Sequence, residues 1–145
     1  MGLSKTLSRL MLVQALYVLD INGMPLSDAD TALEFVREFY LDENEITLQQ
    51  INIGFVHKVL TLLMKNLYEI DFTITTATNK GKDIESMSYL LRAILRSGTC
   101  EILYLDTPKK VIISEYVDLA AEFCAPKEVA FVNAVLDKIV KQQAA

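Results

Sequence analysis

The chain has no tryptophan, one histidine, two cysteines, three prolines and five glycines in 145 residues. Each scarcity excludes something. No glycine-rich loop is present to cradle a phosphate. Cys100, Cys124 and His57 are too few and too scattered for a four-ligand zinc site. Two distant cysteines make no disulfide framework, and this usage suits a reducing cytoplasm. His57 lies in "FVHKVL" with no nucleophile motif around it, so a structural role outweighs a catalytic one. We therefore expect no catalytic residue, no metal ligand and no cofactor. Charges interrupt the apolar residues every few positions, so no run of about 18 reads as a membrane span. The first residues lack the basic start, apolar stretch and cleavage site of a secretory signal. The expected location is the cytoplasm.

What is present is apolar and helical in pattern. Hydrophobic residues make up 52% of the chain, enough for one core and one domain over residues 1–145. Net charge is −5 and unevenly spread: residues 20–46 hold eight acids against Arg37 alone, leaving the remainder at +2. The first nineteen residues contain Lys5 and Arg9 and no acid. An acidic flank of this kind leaves room for a modest basic surface elsewhere.

Periodicity predicts an all-α fold of about seven helices. The first runs from about Lys5 to Ile21, apolar almost all round, and ends at Gly23 and Pro25. The second starts at Ser27 or Asp28 and reaches about Tyr40. The third, capped by Thr47, spans about 48–68. "YEIDFTITTAT" has strand-like β-branched residues but no pairing partner, and is assigned a short helix. "NKGK" is a turn. Ser86 or Ser88 starts a fifth helix to about Tyr104. Thr107 caps a sixth, with Pro108 in its first turn. Pro126 opens the last.

Three features of these helices bear on binding. Lys109 and Lys110 stand in a first helical turn, where cations oppose the macrodipole, and an ordinary screened surface explains them better than an anion site. Gln14 sits in the apolar surround of the first helix, three residues before Tyr17; it either fixes packing through a buried hydrogen bond or meets a ligand at the surface. On the last helix Val129, Val132, Val135, Leu136, Ile139 and Val140 share one face, while Phe131 falls among Lys127, Ala134 and Lys138. An aromatic flanked by cations suits single-stranded RNA, although spacing alone leaves protein contact and chance open.

The ordered motifs resemble the NusB family. "RLMLVQALYVLD" at 9–20 is similar to that family's first helix. "LRSGTCEILYLDTPKKVIISEYVDLAAEF" at 95–123 is similar to its L-R-x-x-x-Y-E-L, P-x-K-V-x-I-N-E and V-E-L-A-K-x-F run. "FVNAVLDKI" at 131–139 resembles its F-V-N-G-V-L-D-K signature. The resemblance implies two small helical bundles packed side by side and a non-enzymatic transcription antitermination and ribosomal-RNA synthesis factor. It implies boxA-type RNA, the ribosomal protein NusE and the RNA polymerase antitermination complex as partners, with monomer and homodimer both open. By position it places Lys5, Arg9, Gln14, Tyr17, Lys127 and Phe131 at the RNA surface, with Phe131 facing away from the core. The side near Arg92 and Arg96 is the expected partner face. Departures from the family pattern include Thr6 and Leu7 where bases are common, Cys100 for the tyrosine of Y-E-L, and Ala134 for the signature glycine. Fewer bases imply weak RNA binding by the chain alone, restored by a basic partner. Two other readings stand beside this one: the same fold used as a protein-interaction scaffold, and a standalone relative of the RNA-binding domain of ribosomal-RNA cytosine methyltransferases.

Overall fold

A computed structural model describes residues 4–78 and 83–144. The "NKGK" turn lies outside the described residues. Within them the chain forms six α-helices joined by short 3-10 and π turns: α1 (Lys5–Ile21), α2 (Ala29–Val36), α3 (Ile53–Ala77), α4 (Tyr89–Tyr104), α5 (Lys109–Phe123) and α6 (Pro126–Ala144). The all-α expectation is met.

Local chemistry sets the boundaries. Ser4 caps α1 by accepting the Leu7 N–H at 3.1 Å. Gly23 ends it with φ +64°, the left-handed conformation that lets the Met24 N–H reach back to the Leu19 carbonyl. After α2 the chain widens into a π turn, Arg37–Leu41, so the expected single helix to Tyr40 has two parts. Ser88 caps α4. Pro108, rather than Thr107, occupies the N-cap of α5.

The seven expected helices become six because two of them are continuous. Thr47 caps only the brief turn Leu48–Gln50, and the Asn52 side chain caps α3 by accepting from the Phe55 N–H at 3.0 Å. From there α3 continues through "YEIDFTITTA" to Ala77. Its one interruption is Asn66, at φ −126° and ψ 23°, whose side-chain amide donates to the Leu62 carbonyl at 3.0 Å. A local bond of this kind competes with the helix ladder and bends it. Further on, the Thr73 hydroxyl donates to the Glu69 carbonyl at 2.8 Å, and Thr76 bonds Thr73 similarly. Such back-bonding accommodates β-branched threonines within a helix.

Helix α4 organises the packing. It lies against α1, α3, α5 and α6; α5 and α6 pack on each other, and α1 also packs on α2 and α3. The two-bundle arrangement follows, with one cluster of buried apolar residues running through both halves. Gly98 of α4 lets α5 and α6 approach closely: a Cβ there would meet both Leu136 methyls at 3.2 Å and the Tyr116 ring at 3.3 Å. Among the described residues no helix is long and apolar enough to cross a membrane.

Two buried acids-to-be sit where α4 meets α5. Burial pushes the Cys100 thiol from an ordinary 9.0 up to about 12, with the Glu101 charge adding to it. Burial, and again Glu101, raise the Tyr116 hydroxyl well above its ordinary 10.0. Both groups keep their protons longer when folded than when unfolded. The Cys100 contribution to stability is therefore complete below pH 9 and is lost as pH rises toward about 12, and that of Tyr116 is complete below pH 10 and is lost only at pH values well above it. Thermal unfolding followed from pH 8 to pH 11 should show a falling midpoint, and Cys100→Ala should flatten the first part of the fall.

Candidate nucleic-acid interface

The sequence-predicted residues separate into three groups. Gln14 and Tyr17, three residues apart on α1, are half-buried and line one cleft of about 740 Å³. Its other walls come from Tyr40 of the π turn, Met87, Ser88, Tyr89, Leu90 and Arg92 at the start of α4, Glu85 just before it, and Phe123 at the end of α5. The Arg92 guanidinium lies 5.1 Å from the Tyr89 ring centroid and reaches the Glu85 carbonyl at 3.3 Å. Four aromatic rings, one planar cation and one amide thus converge on an open space. Rings of this kind stack on unpaired bases, the amide can bond a base edge, and the guanidinium can meet a phosphate or a base.

Lys5 and Arg9 make the second group, and they differ sharply. Lys5 is exposed at the start of α1, its ammonium 5.5 Å from the Phe55 ring centroid. Arg9, expected at the RNA surface, is 3% exposed. Its Nε and Nη2 donate to the two Glu101 carboxylate oxygens at 2.7 and 2.9 Å, and Nη1 donates to Glu115 at 3.0 Å. Glu101 is itself fully buried and accepts the Tyr116 hydroxyl. Burial works against the Arg9 charge, but the Glu101 bonds and charge outweigh it and raise its pKa. The physical reason for its inward turn lies one helix away: a buried carboxylate needs a paired cation, and Arg9 is the one that reaches it. Arg9 holds α1 to α4 and α5.

The third group is on α6. Lys127 is exposed, but Phe131 is half-buried and packs against the core, contrary to its expected outward position. A simple two-faced helix would have left it outside. Helix α6 touches α3, α4 and α5, so a wider arc than one face is covered. Neither residue lines the α1 cleft.

Tyr40, Tyr89 and Phe123 were not identified from the sequence. The signal for one pair was present, since Tyr89 and Arg92 stand one turn apart directly after the capping Ser88. Arg92 lines the cleft, whereas Arg96 turns inward to Asp71, with both bonds at 2.8 Å, and lies 3.7 Å from Asp20. Lys109 is also accounted for: its ammonium donates to the Ile102 carbonyl at 2.8 Å, at the negative end of α4.

These features define an all-helical protein of two fused bundles with an aromatic cleft beside the first helix. A family profile described as the NusB family matches residues 6–141. The chain belongs to the NusB family. It is similar to the transcription antitermination protein NusB of Rickettsia rickettsii (strain Sheila Smith), 35% identical over 147 residues that cover 95% of this chain and 92% of the relative. The corresponding protein of Rickettsia massiliae (strain Mtu5) is 36% identical over the same shares. Among solved structures, T. maritima NusB superposes with a TM-score of 0.79 at 26% identity, covering 98% of this chain and 94% of that one. A crystal structure of the antitermination factors NusB and NusE in complex with dsRNA gives 0.77 at 23% identity, covering 95% and 96%, which shows a shared fold.

Proposed function

We propose that the protein is a transcription antitermination and ribosomal-RNA synthesis factor of the cytoplasm. In this reading the single domain, residues 1–145, binds boxA-type single-stranded RNA together with NusE and acts on RNA polymerase without any catalytic step. The family match along residues 6–141 carries the reading. The solved structure of a similarly folded NusB with NusE and dsRNA supports NusE and RNA as the classes of partner. The cleft supports single-stranded RNA, because open aromatic faces suit unstacked bases better than an A-form duplex.

The RNA surface in this proposal comprises Lys5, Gln14, Tyr17, Lys127 and Phe131, extended by Tyr89 and Arg92. Arg9 supports it from within. Tyr17→Ala should weaken RNA binding by ~1–3 kcal/mol, the value of a lost base stack. Lys5→Ala should reduce the salt dependence by about 0.7 in logarithmic slope, one phosphate's worth on a single strand. Fluorescence anisotropy with a boxA oligonucleotide at several salt concentrations measures both. Unchanged affinity for Tyr17→Ala and Tyr89→Ala would remove the cleft from the interface.

A further inference from the structure

Helix α2 and the π turn after it present a second surface, distinct from the cleft. Phe35 is 49% exposed and Phe39 is 59% exposed. They stand one turn apart with ring centroids 4.7 Å apart and planes tilted by 37°. Their contact with each other leaves both outer faces in water. Beside Phe35 is a shallow depression of about 470 Å³, walled also by Asp30, Thr31, Glu34 and Glu38. The opposite side of α2 is fully used: Ala29, Ala32, Leu33 and Val36 are buried. Burying those four residues explains the helix, but it does not require two phenylalanines outside. An exposed aromatic pair with a polar rim is a feature of interaction sites.

We infer that this face docks a lysine- or arginine-rich protein segment that carries an apolar anchor. The charges around the pair select that occupant. Asp30, Glu34 and Glu38 flank the rings, and Asp42, Glu43 and Glu45 follow, all exposed. The one cation of the segment, Arg37, is already bonded to Glu34. A nucleic acid would meet this field with its phosphates and be repelled. A second copy could offer only the modest +2 of its segments outside residues 20–46, while bringing the same acidic segment at −7 with it. A cationic protein segment gains attraction from the rim, while its anchor buries against Phe35 and Phe39. The rim then governs encounter and the rings govern residence.

The test uses the whole chain and a short fluorescent peptide with lysine at its polar helical positions and leucine at its apolar ones. Two control peptides replace lysine by glutamate, or leucine by serine. The lysine–leucine peptide should bind the wild type, shift backbone amide signals along residues 29–45, and bind more weakly as salt rises. Phe35→Ser combined with Phe39→Ser should weaken it about tenfold or more, the scale of lost aromatic anchors. Glu34→Lys combined with Glu38→Lys should weaken it comparably while leaving both rings in place. Both controls should bind at least about tenfold more weakly than the parent peptide. Equal binding by the Phe35→Ser/Phe39→Ser protein, or amide shifts elsewhere, would overturn the inference. So would single-stranded RNA shifting the same amides, or self-association of the wild type that the double serine variant abolishes.

Discussion

Arg9→Ala should destabilise the protein by ~3–5 kcal/mol, because it strands a buried carboxylate without its cation. For a chain of this size that is about 10 °C in the unfolding midpoint. Arg9 sits at the junction of α1, α4 and α5, bonded twice to Glu101 and once to Glu115. Glu101 has no exposure through which water could replace the lost partner. The effect should shrink when both charges are removed. Arg9→Met combined with Glu101→Gln should be more stable than Arg9→Met alone by roughly 1 kcal/mol or more, since neutralising Glu101 removes the stranded charge. Arg9→Lys separates this structural account from a direct RNA contact. Lysine keeps the charge that a phosphate needs, but lacks the planar fork that fits the Glu101 carboxylate. The lysine variant should therefore lose stability, and chemical denaturation at constant pH would show it. Full stability of Arg9→Lys with a changed RNA affinity would return Arg9 to the surface.

Leu136→Ala is the second large effect, at ~2–5 kcal/mol, the range for truncating a buried leucine that leaves a cavity. Leu136 is fully buried, and its methyls lie against Gly98. The pair makes a sharper prediction than either residue alone. In the wild-type protein, alanine at 98 gains up to about 1 kcal/mol of helix propensity over glycine. Its Cβ must then fit 3.2 Å from two methyls and 3.3 Å from the buried Tyr116 ring. Both neighbours are fully buried and would have to shift by a few tenths of an ångström, so Gly98→Ala should be neutral or destabilising. Once Leu136 is truncated, the same substitution should stabilise, with propensity and restored contacts acting together. A double-mutant cycle by urea unfolding measures that change of sign. Additive effects would mean that the close approach of α4 and α6 is not tight. The family pattern's departure at Cys100 belongs to the same region: it lacks the pattern's aromatic, while Tyr116 of α5 supplies a hydroxyl to the adjacent Glu101.

Much of this was legible in the chain itself. The limits of α1 follow from Ser4, Gly23 and the apolar run between them, and Pro126 marks the start of α6. The long α3 was harder, because "TITT" has strand propensity, and burial of Ile70, Ile74 and Ala77 in the core is what holds that stretch helical. The site was less legible than the fold. Spacing places Gln14 and Tyr17 together, but cannot show that Tyr40, Tyr89 and Phe123 arrive from three other segments to complete the cleft. Arg9 shows the same limit from the other direction. A basic residue near an N-terminus looks like a surface charge until the carboxylate 92 positions later is known to be buried beside it. Phe131 followed the helical wheel correctly in angle, yet three neighbouring helices covered more of α6 than one face.

The most direct test of the account is the preference for boxA RNA over a scrambled RNA of equal length and composition. It should be measured at moderate salt for the chain alone and for its mixture with NusE, with wild type and Tyr17→Ala. The account predicts weak binding alone, clear preference for boxA in the mixture, and loss of ~1–3 kcal/mol in the variant without loss of the helical fold. Equal binding of the two RNAs by the mixture, unchanged by Tyr17→Ala, would contradict it.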